Sequence, residues 1–221
     1  MPKKRYIDLS HTIENGLITY KGLPAPVICD YLSHEASREQ YEEGTEFQIG
    51  KIEMVSNTST YVDVPFHRYK DGKDLNDVMI ERFAGLDGVL ISIDKGTKEI
   101  DEHHFHGADV EGKAVLVHTD WDRHWNTEQY FEGHPYLTEK AAQYLRDKNV
   151  ALVGIDSMNI DNTSGNNRPV HSTLLGSEIL IVEHLCHLNE LVDQKFRFYA
   201  VPPKIKGMGT FAVRAFAEIM E

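Results

Sequence analysis

The sequence predicts an α/β fold, and three observations carry that expectation. Val89–Ile93, Ala114–Thr119 and Val150–Asp156 are short runs dense in Val, Leu and Ile, the composition of buried strands. Ahead of the third, Thr138 stands as an N-cap before Lys140, Ala141, Ala142, Tyr144 and Leu145, which predicts a helix. A helix, turn residues and then an apolar run make the α/β signature. The chain, 1–221, is long enough for one domain with a substantial core, and its hydrophobic share of 41% and charged share of 26% are those of an ordinary globule.

The remaining elements follow in order. Tyr6–Ser10 reads as a short strand, and His11–Tyr20 continues extended until Gly22-Leu23-Pro24-Ala25-Pro26 breaks it. Residues 34–44 are polar and Glu-rich, an exposed loop or mobile flap. Phe47–Val55 alternates as a strand does, and Tyr61–Val64, aromatic and β-branched, is extended. Leu75, Val78, Met79 and Phe83 fall at the spacing of a short amphipathic helix. His103, His104 and His106 lack partner cysteines and any H-E-x-x-H spacing, so they read as a polar helix start. His171–Gly176 reads as one helical turn stopped by glycine, and Ile179–Val182 as a strand with Glu183 at its end. Leu185, Leu188, Leu191 and Val192 follow at helical spacing.

Composition narrows the function. A formal net charge of −12 argues against nucleic acid or an anionic membrane as partner. Two cysteines, Cys29 and Cys186, make no disulfide framework, so reduced thiols and a cytoplasmic location are expected. No apolar run is long enough to span a bilayer.

Chemistry concentrates between Ser56 and His67. Asp63 and His67 flank Pro65; in a straight strand they would stand about 13 Å apart, but a bend at the proline would turn both toward one cavity. On these residues alone, a hydrogen-bonded turn carrying a surface histidine is the simpler reading. Adding His171 and Glu183 gives two carboxylates and two imidazoles, an inventory that suits a divalent metal and a proton carrier. Neither cysteine has a nucleophile context, and no G-x-S-x-G elbow is present.

Asp63-Val64-Pro65-Phe66-His67 resembles the second half of H-x-G-x-H-x-D-x-P-x-H, the core pattern of the cyclase family of metal-dependent hydrolases, which includes bacterial kynurenine formamidases and isatin hydrolases. The first half departs from the pattern, because Asn57 and Tyr61 stand where the family has histidines and Ser59 where it has glycine. Asp8-Leu9-Ser10-His11 with Tyr20-Lys21-Gly22 resembles the family's opening. Residues 115–121 and 154–161 resemble its internal strings. His171, Leu174 and Leu175, with Glu183 twelve residues after the His, meet its second motif, and Pro202 to Gly207 with Val213-Arg214-Ala215 its ending.

The resemblance implies a single domain of the swivelling β/β/α type with a mixed sheet. It implies a metal held by Asp63, His171 and Glu183, and His67 as general acid or base. Tyr61, Phe66 and Trp121 would meet the substrate, favouring a planar or apolar acyl partner. An amide oxygen is a weak zinc ligand and a phenol must lose a proton to bind, so one divalent ion, zinc or manganese, is expected and the second family position is lost. The implied reaction is hydrolysis of an N-formyl amide, a cyclic amide or a lactone in a homodimer or homotetramer. The replaced histidines keep two other readings open: an inactive or metal-independent binding paralogue, and a different reaction using Tyr61 as an acid.

Overall fold

The computed structural model describes residues 4–220. Its strands are β1 (Arg5–Asp8), β2 (Val27–Leu32), β3 (Ile49–Glu53), β4 (Tyr61–Asp63), β5 (Ala84–Ser92), β6 (Glu99–Ile100) and β7 (Ala114–His118). They continue with β8 (Tyr136–Leu137), β9 (Leu152–Ile155), β10 (Leu180–Glu183), β11 (Lys195–Tyr199), β12 (Thr210–Ala212) and β13 (Phe216–Met220). The helices are α1 (His34–Arg38), α2 (Glu139–Asp147) and α3 (Pro169–Gly176). A 9-stranded sheet runs β1-β13-β11-β5-β7-β9-β10-β4-β12. It is mixed, as expected: β5, β7, β9 and β10 are parallel neighbours, and antiparallel strands flank them.

The apolar runs form the parallel centre because such strands are covered on both faces. Side chains alternate along them. Val115, Val117, Val153, Ile155 and Ile181 face α2 and α3, where Ala141, Leu145 and Leu174 are fully buried. Ala114, Leu116, Leu152, Leu180 and Val182 face the opposite core, which the curled sheet completes with Ile7, Val62, Phe196 and Phe198. Each buried aliphatic side chain contributes about 1.5–3 kcal/mol. Thr138 caps α2 as predicted, accepting from Ala141 N at 3.2 Å. β5 begins five residues before the predicted run, because its first half pairs with β11 and its second half with β7.

Four local expectations are corrected. Leu75–Phe83 is not a helix: the Asp74 carboxylate accepts from Asn76 N, Asp77 N and Gly207 N, which fixes a turn, and only Ile80–Arg82 makes a 3₁₀ turn. Residues 34–44 include α1, capped by Ser33. The helix at His171 starts at Pro169 and makes two turns, because Asp161 caps it. After Glu183 only Leu188–Leu191 winds into a 3₁₀ turn, since His184 and His187 take left-handed φ of 57° and 56°. The histidine cluster does start a 3₁₀ turn, Glu102–Phe105, through a box between Asp101 and His104.

The predicted 47–55 strand forms β3, but outside the main sheet, paired only with β2. Ile28 lies opposite Ile52, and the two are 42% and 51% exposed. Among the described residues no helix is long and apolar enough to cross a membrane.

Candidate active site

β4 lies between β10 and β12, which sets Asp63 opposite Thr210 and Tyr61 opposite Glu183. Asp63 is fully buried. After it, Pro65–His67 folds into a 3₁₀ turn, and His67 Nδ1 comes to 3.6 Å from Asp63 Oδ1. The bend at Pro65 therefore brings the pair together. The turn is pressed against residue 209, where a Cβ would lie 2.3 Å from the His67 nitrogen, so only glycine permits the approach. Gly209 thereby seats Thr210 beside both groups. Thr210 Oγ1 bonds Asp63 Oδ1 and lies 2.7 Å from His67 Nδ1. A carboxylate only accepts, so the threonine proton goes to Asp63 and His67 Nδ1–H donates to Thr210. That tautomer leaves the His67 Nε2 lone pair free for a proton.

His171 enters from α3. Asp161 accepts from Val170 N at 2.9 Å and His171 N at 3.0 Å, and lies 2.6 Å from His171 Nδ1. One buried carboxylate thus caps the helix and turns His171 Nε2 inward. That nitrogen lies 3.6 Å from Asp63 Oδ2 and 3.8 Å from Glu183 Oε1. Glu183 Oε1 is itself held by Ile160 N at 2.7 Å.

Asp63 Oδ2 is buried without a hydrogen-bond partner. An orphaned carboxylate oxygen is costly, and one beside an inward imidazole and a second carboxylate fits a cation. Ligands around a tetrahedral zinc stand about 3.4 Å from each other, close to the separations here. Asp63, His67 and His171 also each offer an atom, all within 4.8 Å of one another. The demand for positive charge shows in the surroundings of His171. Burial alone would lower His171, but the carboxylates of Glu183, Asp161 and Asp63 outweigh it and lift the imidazole to about 10. Burial raises Glu183 against the opposing pull of His171.

The other side of Glu183 is closed by phenols. Tyr61 Oη donates to Glu183 Oε2 at 2.5 Å, Tyr20 Oη lies 3.2 Å from the same oxygen, and the phenols are 2.7 Å apart. Asn159 Nδ2 reaches Tyr20 at 3.1 Å. Burial, then the charge of Glu183, pushes both phenols well above their ordinary range, so they stay protonated. Ser59 holds φ at +60°, a conformation glycine adopts freely, and Ser59 Oγ donates to His11 O at 2.9 Å.

A cavity of about 230 Å³ has Tyr20, Asn57, Tyr61, His67, His171 and Glu183 on its wall. Of the predicted substrate contacts, Tyr61 is on the wall. Phe66 is not, because it packs on the core, and Trp121 is not, because its indole donates to Tyr130 O beside His124. Leu23, Arg68, Asn159 and Arg168 also line the cavity and were not singled out by the sequence. Asp161 and Thr210 were missed as well. Asp161 stood in a motif string without a role, and nothing in the sequence near Thr210 signals one.

The family model described as Putative cyclase matches residues 7–162. The kynurenine formamidase of Bacillus cereus is 28% identical over 220 residues, 97% of this chain and 98% of that protein. The structure of isatin hydrolase A from Labrenzia aggregata bound to benzyl benzoate is similar at a TM-score of 0.83 and 22% identity, covering 99% of this chain and 94% of that one. A structure described as a potential metal-dependent hydrolase with cyclase activity is similar at 0.81 and 22%, covering 99% and 100%. With the family model spanning most of its length, this chain belongs to the cyclase family.

Proposed function

We propose that the chain is a one-metal hydrolase of a small N-formyl amide, cyclic amide or lactone, with Asp63, His171 and Glu183 holding the ion. The observation that carries this is Asp63 Oδ2, buried, unpartnered and 3.6 Å from the inward nitrogen of His171. A divalent ion such as zinc or manganese, when bound, supplies a water of lowered pKa and a polarised carbonyl. His67, its tautomer fixed through Thr210, takes a proton at Nε2 and returns it to the leaving nitrogen or oxygen. Asp161 keeps His171 aimed. Tyr61, Tyr20 and Asn159 occupy the remaining side of Glu183, which supports a single ion rather than two. The cavity, below the roughly 300–1,000 Å³ of drug-sized pockets, suits a substrate of about one ring. The 28% identical kynurenine formamidase supports the formamide among these substrates.

The test is elemental analysis of the purified protein with an arylformamide assay before and after chelation. One ion per chain and chelator-sensitive turnover are expected. No metal after zinc or manganese is supplied, or turnover that chelators leave intact, would sink the reading.

We also place the enzyme in the cytoplasm, where Cys29 and Cys186, free in the fold, would stay reduced. A homodimer or homotetramer is proposed as well. A lone two-stranded hairpin with exposed Ile28, Tyr31, Ile49 and Ile52 is marginal in water, and a second copy would cover it.

A further inference from the structure

We infer that the substrate carries a carboxylate or similar anionic group, and that Arg68 and Arg168 at the cavity select it; this rests on the hydrolase reading above. Arg5, Arg38, Arg123, Arg146, Arg197 and Arg214 each pair with a carboxylate. Three arginines pair with none among the described residues, although the chain holds 35 Asp and Glu against 23 Lys and Arg. Arg82 spends its Nη2 on the carbonyls of Ala151 and Glu178. Arg68 and Arg168, alone of the three, line the cavity that holds His67, His171 and Glu183.

Their placement is built. Arg68 Nε donates to Ser172 Oγ at 3.0 Å, and Ser172 Oγ donates to the Arg168 carbonyl at 2.8 Å, so one hydroxyl ties the two residues together. Arg168 uses a single terminal nitrogen, Nη1, on the carbonyls of Gly165 and Asn167. The terminal nitrogens of Arg68, and Nη2 of Arg168, have no partner among the described residues. Donors fixed at one end and free at the other form the fork that reads a carboxylate. An anion entering this cavity comes near the buried carboxylates of Asp63, Asp161 and Glu183 on a chain of net charge −12, and the free guanidinium nitrogens supply the positive charge that would offset them.

The experiment compares charged and neutral probes. Hydrolysis of 2-, 3- and 4-formamidobenzoate is measured against formanilide in the zinc- or manganese-supplied protein. Binding of the matching aminobenzoates is measured against aniline by calorimetry, in supplied and in chelated protein. At least one formamidobenzoate should exceed formanilide in kcat/KM by tenfold or more, and its aminobenzoate should bind chelated protein where aniline does not. Arg68→Gln should cut the charged-to-neutral ratio and the aminobenzoate affinity tenfold or more, with Arg68→Lys recovering part. Arg168→Gln should act likewise, but Arg168 also holds its loop, so exposed Arg68 is the decisive position and circular dichroism checks both folds. Formanilide turned over as well as every charged isomer, aniline binding as well as the aminobenzoates, no aminobenzoate binding, or binding indifferent to Arg68→Gln would each overturn the inference. Aminobenzoate binding that depends on Arg68, with no formamide hydrolysis, would uphold the inference and overturn the hydrolase reading.

Discussion

Tyr61 donates its phenol proton to Glu183 Oε2 at 2.5 Å, and both groups are buried. The bond turns half of the buried carboxylate away from any second ion. Tyr61→Phe should destabilise the fold by about 1–3 kcal/mol, because Tyr20 and Asn159 satisfy that oxygen only at 3.2 and 3.4 Å. Its metal content should stay at one ion. Asn57→His with Tyr61→His should raise the content toward two. Two ions per chain in the unmodified protein would contradict the proposed site.

His171→Ala should empty the site, since only the two carboxylates remain. Asp161→Asn should weaken metal affinity about 10–100-fold by releasing the imidazole it orients. Titration with a chromogenic chelator reads both. Unchanged affinity in Asp161→Asn would show that Asp161 serves only to cap α3.

Removing His67 separates proton transfer from metal binding. His67→Ala should lower turnover about 10²–10⁴-fold and leave metal content alone. Loss of the ion would make His67 a ligand. Thr210→Val should lower kcat and alter its pH profile by freeing the imidazole tautomer, while Thr210→Ser should restore both.

Acid should destabilise the protein through His11. Burial, helped by nearby His187, holds this imidazole at about 4 in the fold, against about 6.5 in the unfolded chain. Between those values the unfolded state binds a proton that the folded state refuses, so stability falls as pH drops from about 6.5 to 4, by up to about 3 kcal/mol. His11 stacks on Trp125 at 3.9 Å, and its Nε2 is buried without a partner. His11→Phe keeps the stack and should flatten the acid slope by one proton's contribution in urea unfolding. An unchanged slope would assign it to other groups, buried His184 first.

Light scattering at micromolar concentration should give a dimer or tetramer. Ile28→Asp combined with Ile52→Asp, on directly opposed positions of the β2–β3 hairpin, should dissociate it. A monomeric unmodified protein would remove the hairpin's assigned role.

The parts of this protein legible in the sequence were those set by local chemistry. The strands β7, β9 and β10 follow from unbroken apolar runs, and α2 from its Thr138 cap, because burial preference and capping act within a few residues. Asp63, His67, His171 and Glu183 were legible as residue types at motif spacing. Leu75–Phe83 misled because one Asp74 carboxylate outweighed a helical periodicity; Phe66 lies off the cavity wall because its ring packs on the core, and Trp121 because its indole turns to Tyr130 O. Only tertiary structure decided who completes the site. Thr210 meets Asp63 across 147 residues because β12 pairs with β4 in that register, and Tyr20 meets Glu183 across 163. Arg68 reaches Ser172 across 104 because the Pro65–His67 turn packs beside α3. Strand register and turn packing set such meetings. They depend on which surfaces the whole sheet buries together, a quantity no local stretch of sequence contains.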